Sequence, residues 1–249
     1  NGSGQVAGDL LVKNKNIKAI SFTGGTDTGK KNYQNSFASL KKLSLEMGGK
    51  NPAIIFEDCN YKSMLKTVVK SSFTNQGQIC LCSSRILVEE TIFEKFKTDF
   101  CNAISELNIG DPKNDKTQFG SITSNEQYKK IKHYINLAKN ENGNILLGGK
   151  AIQLQGRCKN GWFIEPTVIE GLDNRSKLNQ EEIFGPVVTL QSFKSEEEAI
   201  EIANDTPYGL SATIWTKSNK KSSRVAKYID AGVIWINSWM VRDLRTPFG

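Results

Sequence analysis

The chain has 249 residues, 38% of them hydrophobic and 24% charged, enough apolar material for one large or two modest globular domains. No run approaches the roughly 18 consecutive apolar residues of a spanning helix, and the opening Asn1-Gly-Ser-Gly-Gln-Val-Ala-Gly-Asp-Leu10 has neither a basic region nor an apolar signal core, which disfavours membrane and secretory roles. Thirty-three Lys and Arg against 26 Asp and Glu give a net charge of +7, but the basic residues lie in mixed runs such as 13–18 and 217–224 without a basic helix and interleaved aromatics, so nucleic acid is not the expected partner.

Short apolar runs alternate with stretches of helical period, the pattern of an α/β fold with a largely parallel sheet. In chain order, 18–22 reads as a strand, 28–40 as a helix and 52–56 as a second strand. Asn60 is placed to cap a helix carrying Met64, Leu65, Val68 and Val69 on one side. Ile92, Phe93, Phe96, Phe100 and Ile104 form another helical stripe, and both stripes are expected to be core. Ser124 with Gln127 and Ser195 with Glu198 have capping-box spacing, opening helices near 125–140 and 196–204. Further strands are expected at 145–147, 163–169, 187–193, 211–215 and 232–236.

Three local features bear on chemistry. Gly24-Gly-Thr-Asp-Thr-Gly29-Lys30-Lys31 follows a strand and precedes a helix, where backbone amides can hold phosphate. It meets the spacing of a nucleoside-triphosphate loop until Lys31, where that motif needs a hydroxyl for magnesium. A nucleoside-triphosphate-binding protein using the 24–31 turn is therefore one rival reading, and a plain strand-to-helix turn is another. Glu46 stands just before Gly48 and Gly49, which let backbone approach a ligand closely. Cys80 follows a polar, glycine-containing turn outside any apolar stripe, a setting in which free amides can favour a thiolate. His133 lies in a helical run and is a poor candidate for a base. The five cysteines (59, 80, 82, 101, 158) are odd in number and irregularly spaced, which points to a reducing compartment, and the single residue between Cys80 and Cys82 suits neither a redox pair nor a zinc site.

Phe22-Thr-Gly-Gly-Thr26, Glu46-Met-Gly-Gly-Lys-Asn-Pro52, Asn75-Gln-Gly-Gln-Ile-Cys80, Glu181-Glu-Ile-Phe-Gly-Pro186 and Pro247-Phe-Gly249 occur in the order of the signatures of the aldehyde dehydrogenase superfamily. On these five blocks the chain resembles that superfamily. The resemblance implies an aldehyde dehydrogenase-like α/β fold: residues 1–48 as the end of a Rossmann-type cofactor domain, and 49–249 as most of an α/β catalytic domain. It implies a nucleophile at Cys80, which forms a thiohemiacetal and then a thioester, and a general base at Glu46 that activates the hydrolytic water. NAD is the implied cofactor, with NADP left open. Glu182 would hold the nicotinamide ribose, Phe184 the nicotinamide end, and Gly4, Gly24 and Gly25 would lie near the pyrophosphate. Gln127 and Lys130 match positions that touch cofactor in some members, although a capping box accounts for Gln127 equally well.

The stretch Trp235-Ile-Asn-Ser-Trp239-Met-Val-Arg242-Asp-Leu-Arg245 resembles the subgroup acting on 2-hydroxymuconic and 2-aminomuconic semialdehydes, and so does Gln78-Ile-Cys-Leu-Cys82-Ser-Ser-Arg85. Arg242 would bind the carboxylate remote from the aldehyde. The alternative is that Arg242 and Arg245 bracket Asp243 in a surface ion-pair cluster. Family members are about twice this length. The chain is therefore expected to be a fragment, inactive when isolated, of an enzyme working as a homodimer or homotetramer on a small-molecule aldehyde. A non-catalytic truncated remnant is the other reading.

Overall fold

The computed structural model describes residues 2–243 and 245–248; Gly249 of the last signature lies outside them. The chain divides into two compact units, Asn1–Gly48 and Gly49–Gly249.

In the first unit a π-helical turn, Gly4–Gly8, leads into a short helix α1 (Asp9–Lys13). Strand β1 (Ala19–Thr23), helix α2 (Thr26–Ser36) and strand β2 (Lys42–Glu46) form a β-α-β unit whose strands pair in parallel, from Ala19 opposite Lys42 to Thr23 opposite Glu46. A parallel pair cannot be closed by a tight turn, and α2 supplies the crossover. The helix begins two residues before its expected start, so Thr26 to Gly29 form its first turn instead of a phosphate-wrapping loop. Gly29 is buried within α2, where a Cβ would lie 2.5 Å from the Met47 sulfur, so its smallness serves close packing of the helix on the segment after β2. The nucleoside-triphosphate reading thereby loses its wrapping loop, while the helix start at Thr26 remains. One helix over two strands covers little apolar surface, and Leu10, Tyr33, Phe37 and Leu40 remain exposed.

The second unit is built on seven strands: β3 (Asn51–Ile55), β4 (Ser83–Glu89), β5 (Asn144–Leu147), β8 (Thr167–Glu170), β9 (Val187–Phe193), β10 (Ser211–Trp215) and β11 (Val233–Ile236). A two-stranded antiparallel piece, β6 (Ala151–Ile152) with β7 (Phe163–Ile164), stands apart. The sheet order is β11-β10-β3-β4-β9-β8-β5, parallel except for the β5–β8 pair. Helices α3 (Tyr61–Phe73), α4 (Glu90–Ser105), α5 (Asn125–Asn140), the short α6 (Lys177–Gln180), α7 (Glu196–Asn204) and α8 (Asn219–Tyr228) complete it.

Strand β3 shows why the sheet is covered on both faces. Ala53 and Ile55 join Met64, Val68, Phe96 and Phe100 in one core, while Ile54 joins Ala199, Ala203 and Val225 in another. Alternate residues of a strand point to opposite faces, so an unbroken apolar run needs helices on each. The stripes on α3 and α4 are core as expected. Phe96 and Phe100 stack with centroids 5.0 Å apart.

Several expectations require correction. The strand read at 163–169 is broken at Pro166, which has no amide to donate, and its halves join different sheets. Asn60 precedes α3 but its side chain makes no cap bond. Elements that were not anticipated include β2, the central strand β4 and helix α8. In β4 the buried Arg85 interrupts the apolar pattern, and in α8 the polar run 217–224 hides a helix capped by Ser218 Oγ, which accepts from Lys221 N at 3.2 Å.

Candidate active site

Because β3, β4 and β9 are adjacent and parallel, the segments entering them lie at the same end of the sheet. Those segments carry Gly49 and Lys50, then Cys80, then Glu182 to Pro186.

Cys80 sits half-buried in the turn between α3 and β4. Asn75, Gln76 and Gly77 are successively left-handed, with φ of 51°, 58° and 69°. Asn75 Nδ2 donates to Gln78 O at 3.1 Å, and Gln78 Oε1 accepts from Thr123 N at 3.0 Å. Gly77 permits a close approach: a Cβ there would lie 2.2 Å from Gly185 O, so only glycine lets this turn close on the 181–186 segment. Asn51, 3% exposed, donates through Nδ2 to Cys80 O at 2.7 Å and Cys82 O at 2.9 Å, while its Oδ1 accepts from Ser211 N at 3.1 Å. One amide thus ties the turn to β3 and to β10. Cys82 is buried, its Sγ directed at Thr74 O, and burial pushes its thiol up to about 12, which suppresses thiolate at neutral pH.

The second segment packs against this turn. Cys80, Glu182 and Phe184 line one pocket together with Gly49, Ile79 and Gly185. Glu182 Oε1 accepts from Gly49 N at 3.2 Å. Burial raises its carboxyl above the ordinary range, opposed by that amide and by Lys130 and Lys50. Phe184 has φ of 57°, an uncommon conformation for an aromatic residue, held by Gln127 Nε2 donating to Ile183 O at 2.7 Å and Phe184 O at 2.8 Å. Lys130 Nζ donates to Glu182 O at 2.8 Å. Ser124 Oγ does cap α5 by accepting from Gln127 N, but the Gln127 amide goes to the 183–184 carbonyls, so only half of a capping box exists. His133 is exposed on α5.

Behind these residues lie two buried basic side chains. Arg85, wholly buried, donates to Lys50 O (3.0 Å) and to the α7 carbonyls of Ile202 (2.8 Å) and Ala203 (2.6 Å). Lys50 is 2% exposed, and its Nζ makes no hydrogen bond among the described residues. Burial, then repulsion from Arg85, brings its amine down to about 7 against the pull of Glu182.

Arg242 is exposed with its guanidinium 5.0 Å from the Phe248 ring centroid. Among the described residues it is Arg245 that pairs with Asp243, donating through Nε at 2.9 and 3.0 Å. Trp235 and Trp239 pack with Leu81 and Leu210, and Cys80 and Phe248 border the same cluster.

In the first unit Glu46 ends β2 and is half-buried, and its carbonyl accepts from Gly24 N at 3.0 Å. Glu46, Gly24 and Gly25 therefore meet at the amino end of α2, while Gly4 belongs to the separate π-helical turn. Thr26 Oγ1, at the start of α2, is buried and makes no hydrogen bond among the described residues. Asn51, Lys50, Arg85 and Trp239 stand within the quoted motif stretches, but the sequence reading gave them no role of their own. No group of three or more His, Cys, Asp or Glu side chains among the described residues could hold a metal ion, and no described helix is long and apolar enough to cross a membrane.

The fold and the order of these segments define an aldehyde dehydrogenase: the profile of that family matches residues 1–249, and the chain belongs to it. It is 45% identical over its whole length to 2-aminomuconic semialdehyde dehydrogenase of Danio rerio, covering 51% of that protein. It is 42% identical to 5-carboxymethyl-2-hydroxymuconate semialdehyde dehydrogenase of Escherichia coli, again over the whole chain and 53% of the relative. Among solved structures, betaine aldehyde dehydrogenase of Staphylococcus aureus in complex with NAD+ superposes with a TM-score of 0.95 at 36% identity, over all of this chain and 49% of that one. The chain spans about half the length of the curated relatives it matches.

Proposed function

We propose that this chain belongs to an NAD-dependent enzyme that oxidises a carboxylate-bearing semialdehyde, such as 2-aminomuconic or 2-hydroxymuconic semialdehyde, to the acid. The observation that carries the reading is the pocket shared by Cys80, Glu182 and Phe184, because a half-buried thiol and a half-buried carboxyl lining one pocket suit a nucleophile beside a cofactor hydroxyl. Cys80 Sγ bonds to the aldehyde carbon as a thiohemiacetal and, after oxidation, holds the acyl group as a thioester. Glu46 takes the proton of the water that cleaves it. Arg242 binds the distal carboxylate by charge-assisted hydrogen bonds.

The residues present fit the cofactor. The orphaned Thr26 hydroxyl follows Gly24 and Gly25 at a helix start suited to phosphate oxygens, and Gly4 is the further contact assigned there. Glu182 offers an acceptor for a ribose hydroxyl, and Phe184 a ring face. NAD, when bound, supplies the hydride acceptor. On this reading residues 1–48 are the end of the cofactor domain and 49–249 the catalytic domain of a cytoplasmic homodimer or homotetramer.

The test is kinetic, in the whole protein. Cys80→Ser should abolish aldehyde oxidation while Cys82→Ser leaves most of it. Glu46→Gln should keep a single-turnover burst of reduced cofactor and slow the steady state. Equal losses from both cysteine variants would reject Cys80 as nucleophile. A whole protein with no turnover would favour the non-catalytic remnant.

A further inference from the structure

The loop after β11 is pinned at more points than a surface loop needs. Asn237 closes a two-way bond on Thr216, its Oδ1 accepting from Thr216 N at 3.1 Å and its Nδ2 donating to Thr216 O at 2.8 Å. Its φ of 52° turns the chain back, and Trp235 Nε1 then donates to Val241 O at 2.7 Å, across the loop that precedes Arg242. Met240, with φ of 61°, is left-handed as well; asparagine adopts this conformation readily but methionine does not, so the anchors on either side hold it there. Between these anchors Trp239, 9% exposed, donates through Nε1 to Leu81 O at 2.9 Å. Leu81 directly follows Cys80.

From this geometry we infer that Trp239 is a positioning residue that couples the Arg242 loop to the nucleophile turn, and so sets the preference for aldehydes bearing a distal carboxylate. The inference rests on the assignment of Cys80 and Arg242 made above. A buried indole donor is costly to leave unpaired, so its bond to Leu81 O fixes where the loop crosses the Cys80 turn. Trp235, in β11, fixes Val241, and the Phe248 ring under Arg242 borders the same apolar cluster as Cys80. Only Met240 and Val241 separate Trp239 from Arg242, and the left-handed Met240 makes that link a bent, stiff one.

The experiment uses the whole protein and two alkylating reagents of equal length, N-iodoacetyl-6-aminohexanoate and its uncharged N-methylamide. The rate of Cys80 modification by each is measured by peptide-mapped mass spectrometry. The parent chain should favour the carboxylate reagent by on the order of tenfold, a ratio that Arg242→Ala brings close to one. Trp239→Phe, which keeps the buried ring and removes the donor, should lower the ratio as Arg242→Ala does. A residue that merely packs would change both rates by one factor and leave the ratio intact, and that result overturns the coupling. If Trp239→Phe does not fold, Met240→Gly decides: it relaxes the link without touching the indole bond, and an unchanged ratio rejects the proposal. A parent chain with no preference would reject the Arg242 assignment and the coupling together, whereas loss in Arg242→Ala with retention in Trp239→Phe rejects the coupling alone.

Discussion

Replacing Lys50 by methionine is expected to flatten the pH dependence of stability of the second unit. Methionine is unbranched and of similar volume, so the substitution removes the amine and little packing. The Lys50 amine falls from 10.5 to about 7 because it is buried beside Arg85, with Lys130 adding repulsion and Glu182 and Glu181 opposing it. Below about pH 7 it carries a proton in both folded and unfolded chains, and above about 10.5 in neither. Between those limits the unfolded chain binds the extra proton, so stability rises with pH by up to about 1.4 kcal/mol per unit. From pH 7 to 9 the parent chain should gain about 2 kcal/mol relative to Lys50→Met, close to 1 M in urea midpoint for a slope of about 2 kcal/mol/M. All four tryptophans lie in the second unit, so intrinsic fluorescence reports its unfolding selectively. Other titrating groups are shared by the two proteins and cancel in the difference. Parallel pH profiles would show that the ammonium stays charged beside Glu182, and the reasoning from burial would fail.

Gly77→Ala combines a left-handed φ with a 2.2 Å clash against Gly185 O, and should destabilise the second unit by about 2–4 kcal/mol, read as a lowered unfolding midpoint by fluorescence. Gln127→Ala leaves the Ile183 and Phe184 carbonyls without their donor; in the whole protein it should weaken NAD binding measured by calorimetry, with the fold retained by circular dichroism, and unchanged affinity would mean that the Phe184 turn holds itself. Arg242→Ala, assayed in the whole protein, should lower kcat/KM for a muconic semialdehyde by roughly ten- to a hundredfold. It should change little for an uncharged aldehyde of similar length, and equal losses would make Arg242 structural.

What the sequence determined by itself was set by local period and spacing. Alternating or continuous apolar runs marked β1, β3, β9, β10 and β11, and the stripes of α3 and α4 named their buried residues, because burial of a face is written in the order of side chains along one element. Ser124 and Ser195 located two helix starts to the residue, since a cap bonds an amide three positions away. The five motif blocks sufficed to place the chain in its family. The tertiary structure alone decided where long side chains end. Arg85 concealed the central strand β4 because its partners, the carbonyls of Ile202 and Ala203, lie 117 and 118 residues away. Gln127 has the spacing of a cap, yet its amide serves a turn 56 and 57 residues further on. Cys80 and Cys82, two residues apart, differ in burial, and the Cys82 thiol is turned in against Thr74 O. Such bonds depend on contacts that no local pattern encodes, because they exist only once the sheet has brought its amino-end loops together.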